Sequence, residues 1–76
     1  MNKEEILKVI AEVLEVHVKK LNELSDYNNT DNWDSMATTN IIVAIEEEFD
    51  IDVDLDDAEQ FISIKNIVTI LEGKYC

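Results

Sequence analysis

The amino-acid sequence predicts an all-α protein, and three observations predict it. Apolar residues recur at three- and four-residue spacing in separate stretches near the start, middle and end of the chain. The 76 residues include one Gly and no Pro, too few turn formers for a many-stranded β domain. Only one short stretch alternates apolar and polar residues, and no second stretch exists to pair with it. The expectation is a four-helix bundle with three longer helices, one short helix and a long loop after the first helix, folded as one domain over residues 1–76. A chain this small removes only about 60% of its unfolded surface from water, so its core must be compact and a large enclosed active site is not expected.

Ile6, Leu7, Val9, Ile10, Val13 and Leu14 form one face of a first helix from about Lys3 to Glu15, with Lys3, Glu4, Glu5, Lys8, Glu12 and Glu15 opposite. Glu4 and Glu5 fall in its first turn, where carboxylates meet the positive end of the helix dipole. From His17 to Asp34 the periodicity weakens, and Ser25-Asp-Tyr-Asn-Asn-Thr-Asp-Asn32 consists of residues whose side chains compete for backbone hydrogen bonds. Long loops without anchors are uncommon in compact domains, so Val18, Leu21, Leu24 and Tyr27 are expected to pin this one down.

A second helix runs from Ser35 or Met36 to about Phe49, with Met36, Ile41, Ile42, Ile45 and Phe49 as its buried stripe and Asp34 as N-cap. The alternating stretch Ile51-Asp-Val-Asp-Leu-Asp-Asp57 has no partner for its edge hydrogen bonds, so it reads as an extended connector that buries Ile51, Val53 and Leu55. A short third helix is expected from Asp56 to Phe61. Ser63 then caps a fourth from Ile64 to about Glu72, buried through Ile67, Val68, Ile70 and Leu71 and ended by Gly73.

Charge narrows the function. Eighteen Asp and Glu residues oppose six Lys and no Arg, a net charge of −12. Between Leu21 and Ile64 there are thirteen acidic residues and no basic one, a field that repels nucleic acid and anionic membrane surfaces. The same field attracts proteins that display Lys and Arg patches, although acidity also serves simple solubility. No stretch has the length or flanks of a signal peptide or a membrane span, and the lone Cys76 cannot form an internal disulfide. A cytoplasmic protein is expected. It should be a monomer, given its size, its self-repulsion and the absence of a heptad seam. Cys76 is assigned no role.

The candidate functional residue is Ser35, which follows the capping Asp34 at the exposed, positive end of the second helix. The sole histidine, His17, is distant in sequence and flanked by valines, with no base-and-orienter pattern around Ser35, so an enzyme is not expected. From local sequence alone Ser35 reads as an ordinary first-turn serine.

With Asp34-Ser35-Met36 opening the second helix and Glu46-Glu47-Glu48-Phe49 closing it, in an acidic chain of this length, the sequence resembles the acyl carrier protein family over essentially its whole extent. The resemblance implies that Ser35 carries a covalent 4′-phosphopantetheine arm, transferred from coenzyme A by a phosphopantetheinyl transferase, whose thiol holds acyl groups as thioesters. It also implies partner enzymes that load and accept acyl groups through basic docking patches. Asp34, Met36, Glu46, Glu47, Asp50, Asp52 and Asp56 are the candidate docking residues. An acyl chain would be expected to insert among residues such as Ile42, Ile45, Ile62 and Ile67. Asn32-Trp33 before the motif and Ala37-Thr38-Thr39-Asn40 after it depart from the fatty-acid type and look more like stand-alone carriers of specialised pathways. Trp33 equally suits a loop residue packed on the bundle.

Three other readings compete. Asp50, Asp52, Asp54 and Asp56 alternate like the start of a calcium loop, but counted from Asp50 the sixth and twelfth positions are Leu55 and Phe61, where Gly and Glu are needed. A stand-alone aminoacyl or peptidyl carrier would share the fold and the modified serine. An unmodified acidic interaction domain would not depend on Ser35.

Overall fold

Asn2 opens the first helix by accepting the Glu5 N–H on its side-chain oxygen at 2.9 Å. The computed structural model describes residues 1–75, and Cys76 lies outside them. The described residues form helices α1 (Lys3–Leu14), α2 (Ser35–Phe49), α3 (Leu55–Ala58) and α4 (Ile64–Lys74), with a 3-10 turn at Val18–Lys20. The architecture is the expected four-helix bundle: three longer helices, one short helix and a long loop after the first. The 51–54 stretch is a connector, not a strand.

The helices stop where carbonyls at their ends are satisfied from outside the regular pattern. After α1, Glu15 takes a left-handed conformation (φ 58°) and the Val16 N–H returns to Ala11 O at 3.1 Å. After α2, Asp50 does the same (φ 53°) and the Ile51 N–H returns to Glu46 O at 3.1 Å. Both ends are reached without glycine. The only Gly lies elsewhere: Gly73 does not end α4, which continues through Lys74. A glycine weakens a helix by its entropy but does not break it, and the stop signal this residue suggested is overridden by the Tyr75 N–H bonding back to Leu71 O at 3.1 Å.

The core is one cluster. Ile6, Val9, Ile10, Ala11 and Leu14 of α1 meet Ala37, Ile41 and Ile45 of α2 and Ile64, Ile67, Val68 and Leu71 of α4. Phe61 joins them from the turn before α4, and Leu21 and Trp33 from the long loop. Helix α1 packs more extensively on α2 than on α4.

Several expected side-chain positions are corrected. The buried stripe of α2 is Ala37, Ile41, Ile45, at four-residue spacing, with Ile42 and Phe49 half-buried beside it. Met36 is one residue, about 100° of helix, out of phase, and is 73% exposed. Leu55 is 76% exposed. The alternation that turns Ile51 and Val53 inward is lost there, because the backbone becomes helical at Leu55 and the period changes from 2 to 3.6. The third helix starts at Leu55 and ends at Ala58; the residues to Ile62 are turns. Ile70 is half-buried, not buried.

The loop is pinned by backbone and polar groups more than by its large apolar side chains. Leu21 is buried and Val18 half-buried, but Leu24 and Tyr27 are exposed. Around them, Asp26 accepts the N–H groups of Asn28 and Asn29, while Asn29 accepts the Asp26 N–H and donates to Leu24 O. This local closure leaves the Leu24 side chain outside. The anchor is Ser25, which is buried, accepts the Asn22 N–H on its hydroxyl and accepts the Ile64 N–H on its carbonyl at 2.9 Å. The Tyr27 N–H donates to Ile62 O at 3.1 Å alongside a single antiparallel bridge between Asp26 and Ser63. At the far end Asn32, in the left-handed region (φ 68°), donates from its amide to Leu14 O at 2.8 Å, satisfying a carbonyl at the end of α1.

Candidate functional site

The start of α2 is held from both sides of Ser35. Asp34, in extended conformation, accepts the Ala37 N–H on Oδ1 at 2.8 Å. Its carbonyl accepts the Thr38 N–H at 3.0 Å and the Thr38 hydroxyl at 3.2 Å. Trp33, 4% exposed, donates its indole Nε1–H to the same Thr38 hydroxyl at 2.9 Å. Thr38 therefore spends one lone pair and its proton tying the loop to the first turn of the helix. On this fixed turn Ser35 is the first helical residue and is exposed, at the end where the backbone N–H groups and the dipole are positive.

Beside it lies an open groove of about 330 Å³, lined by Tyr27, Asp34, Ser35, Thr38, Ala58, Glu59 and Ile62. Loop, α2 and the turn after α3 meet here. Tyr27 and Ile62, exposed and useless as core anchors, are walls of this groove and are brought together by their own backbone hydrogen bond. Thr38, three residues past Ser35 on the same helix, was within reach of sequence reasoning. Tyr27, Ala58, Glu59 and Ile62 carried no local signal, because their placement depends on how the loop docks.

The other candidate residues fall into two groups. Met36, Glu47, Asp50, Asp52 and Asp56 are exposed. Glu46 is half-buried, and its Oε2 accepts the Val53 N–H at 2.9 Å, so this carboxylate holds the connector after α2. Of the residues expected to surround an inserted acyl chain, Ile45 and Ile67 are fully buried in the core, Ile42 is half-buried and Ile62 stands in the groove wall. His17 is exposed and caps the 3-10 turn, its Nδ1 accepting the Lys19 N–H at 3.2 Å. Among the described residues no group of three or more acidic, His or Cys side chains has the geometry of a metal site.

A four-helix bundle offering an exposed serine on a rigid helix start beside an open groove has the form of a carrier domain. The sequence agrees: residues 4–71 match the family model for the phosphopantetheine attachment site. Similar proteins include the acyl carrier protein of Buchnera aphidicola subsp. Schizaphis graminum, 30% identical over 91% of this chain and 87% of the relative. The acyl carrier protein of Nitratidesulfovibrio vulgaris is 30% identical over 93% of both chains, and that of Chlamydia caviae 29% identical over 93% of this chain and 92% of its own. The chain belongs to the acyl carrier protein family, whose members are carriers, not enzymes, and bear 4′-phosphopantetheine. The groove fits such a group. An attached phosphodiester would meet the positive end of α2, and an extended amide-containing arm would find both the apolar side chain of Ile62 and the hydroxyls of Thr38 and Tyr27. Among the described residues no helix is long and apolar enough to cross a membrane.

Proposed function

We propose that Ser35 is the residue to which 4′-phosphopantetheine is attached, and that the chain works as one carrier domain over residues 1–76. The observation that carries this reading is the exposed serine at the first position of α2, fixed by the Asp34 cap and bordered by the groove. When bound, the group supplies a thiol on which acyl groups are held as thioesters. The protein's own part is to hold the attachment point rigid, to keep the hydroxyl accessible to a transferase, and to offer the groove to the arm. Activation of the hydroxyl falls to the transferase, since His17, the only histidine, serves the 3-10 turn instead.

Docking is assigned to a surface that runs from Ser35 along α2 to the connector after it. Met36 and Leu55 expose large apolar side chains, while Asp34, Glu47, Asp50, Asp52 and Asp56 supply negative charge. An apolar contact within a field of one sign suits partners with a small hydrophobic recess and a basic rim. Glu46 contributes charge to this surface while its Oε2 stays on Val53. The partners in this reading are a phosphopantetheinyl transferase and enzymes that load and accept acyl groups in fatty-acid or specialised acyl biosynthesis. The names of the relatives favour acyl over aminoacyl cargo. The chain is read as a cytoplasmic monomer, consistent with one cysteine and a net charge of −12.

The reading is tested by offering the transferase-treated protein to acyl ligases with a panel of labelled carboxylic acids. Label should be retained in a form released by hydroxylamine, and Ser35→Ala should retain none. Equal labelling of the two proteins would refute attachment at Ser35.

A further inference from the structure

The connector between α2 and α3 is gripped from two directions. The Val53 N–H donates to Glu46 of α2, and the next N–H, of Asp54, donates to the hydroxyl of Tyr75, the residue that follows α4, at 2.9 Å. The same hydroxyl donates to Asp57 Oδ2 at 2.7 Å, and Lys74 Nζ lies 2.9 Å from that oxygen and 3.5 Å from Asp54. A phenol is suited to this place because it accepts from one group while donating to another. A lysine could not accept the Asp54 N–H, and a phenylalanine could do neither.

Helix α3 depends on such support. It is a single turn, far below the length at which a helix is stable alone. Asp54 provides it with no side-chain cap, and none of its four residues is fully buried. What holds it is brought from the other end of the chain, eighteen residues from Asp57 and twenty-one from Asp54. Its last residue, Ala58, with Glu59 and Ile62 beyond it, forms the wall of the groove opposite Thr38 and Ser35.

We propose that Tyr75 is a positioning residue for chemistry at Ser35: its hydroxyl, seated between the Asp54 N–H and the Asp57 carboxylate that Lys74 also grips, fixes α3 and thereby the far wall of the groove that a modifying enzyme enters. The inference rests on the reading of Ser35 as the attachment residue. It assigns the end of α4 a part in partner access, although no residue there touches the groove. Loss of the hydroxyl leaves Ser35, its cap and the Trp33–Thr38 bond in place. The wall then samples open positions, so binding of the transferase suffers and the transfer step itself does not.

The test compares the full chain with its Tyr75→Phe variant by two measurements. Removal of two hydrogen bonds is expected to speed exchange of the bonded amides of Asp54, Ala58 and Glu59 about ten-fold, while the amides of Ile10 and Ile45 in the core keep their wild-type rates. In transfer from coenzyme A, KM for the carrier should rise about three-fold or more with kcat unchanged, the signature of lost uniform binding. Unchanged exchange would overturn the proposal, as would faster exchange with an unchanged KM, which would leave Tyr75 a stabiliser only. If core amides also exchange faster in Tyr75→Phe, Asp57→Asn decides: it keeps an acceptor for the phenol but loses the Lys74 pair, and should raise KM in the same direction by less. Absence of Ser35-dependent modification in the wild type would sink the attachment reading itself. Wild-type modification with indistinguishable variant kinetics would sink only the role of Tyr75.

Discussion

Asp34 serves the site twice, through its side chain and through its carbonyl. The carboxylate satisfies one orphan N–H of α2, and the carbonyl receives both the backbone and the hydroxyl of Thr38. Asp34→Ala should therefore destabilise the fold by about 1 kcal/mol in chemical denaturation, and Asp34→Asn, which keeps the capping oxygen, by much less. Modification should separate the two roles of this residue. A cap role alone predicts that the Asn variant is modified as well as the wild type, whereas a role for its charge in docking predicts that the Asn variant is slowed while remaining stable. At this scale the Asp34 cap was legible because capping preferences act within four residues of sequence. Met36 lies off the buried stripe because a stripe can be counted from either of two adjacent positions, and only the packed structure selects Ala37.

Asp57 is the other residue whose behaviour can be predicted from its surroundings. The hydrogen bond from Lys74, then that from Tyr75, hold its carboxyl below the ordinary carboxylate range despite partial burial, and Asp57 in turn holds the Lys74 ammonium above its ordinary value. The signs follow from linkage. A depressed carboxyl stabilises the fold above its unfolded pKa and loses that contribution as pH falls through the folded value. A raised ammonium stabilises below its unfolded pKa and loses that contribution as pH rises through the folded value. The stability difference between the wild type and Asp57→Asn should thus be level from about pH 5 to pH 10 and shrink on both sides. Urea midpoints across pH would check this, and a difference that grew toward acid would contradict the pairing. The groups facing Asp57 are Lys74 and Tyr75 from the end of α4 and Asp54 from its own connector.

Among the elements, α1, α2 and α4 were readable from periodicity because each buries one face continuously. Their boundaries came within a residue or two of expectation, with caps doing the deciding. The loop was legible as a loop but not in its anchoring. Sequence favours Leu24 and Tyr27 as anchors on hydrophobicity, yet the segment is held by Ser25 and by backbone bonds to Ile62 and Ile64, which are distant in sequence. Helix α3 starts one residue earlier than expected and ends three earlier, because beyond Glu59 the N–H groups of Gln60 and Phe61 bond three residues back, to Asp57 O and Ala58 O, and the helix gives way to turns. Gly73 lies inside α4 with a negative φ and open space around the position of a Cβ. Gly73→Ala should stabilise the protein by about 0.5 kcal/mol, seen as a raised denaturation midpoint with an unchanged slope. A loss of stability would mean that the helix end needs the freedom of glycine.

For the whole molecule, the division of labour is between a small dry core and a heavily anionic surface. The core is reached by all three long helices, so the bundle is a rigid platform on which the start of α2 is held. The net charge of −12 works against compactness through self-repulsion and toward partners through steering. It was legible from composition. The groove was not legible, because its walls come from the loop, the start of α2 and the end of α3 with the turn after it, which meet only when the loop docks against the α3–α4 turn. Whether this molecule presents Ser35 for attachment is decided by intact mass after incubation with coenzyme A, magnesium and a broad-specificity phosphopantetheinyl transferase. A gain of one phosphopantetheinyl group by the wild type, absent in Ser35→Ala, is the predicted result. No gain by a folded wild type, or the same gain in both proteins, would contradict it.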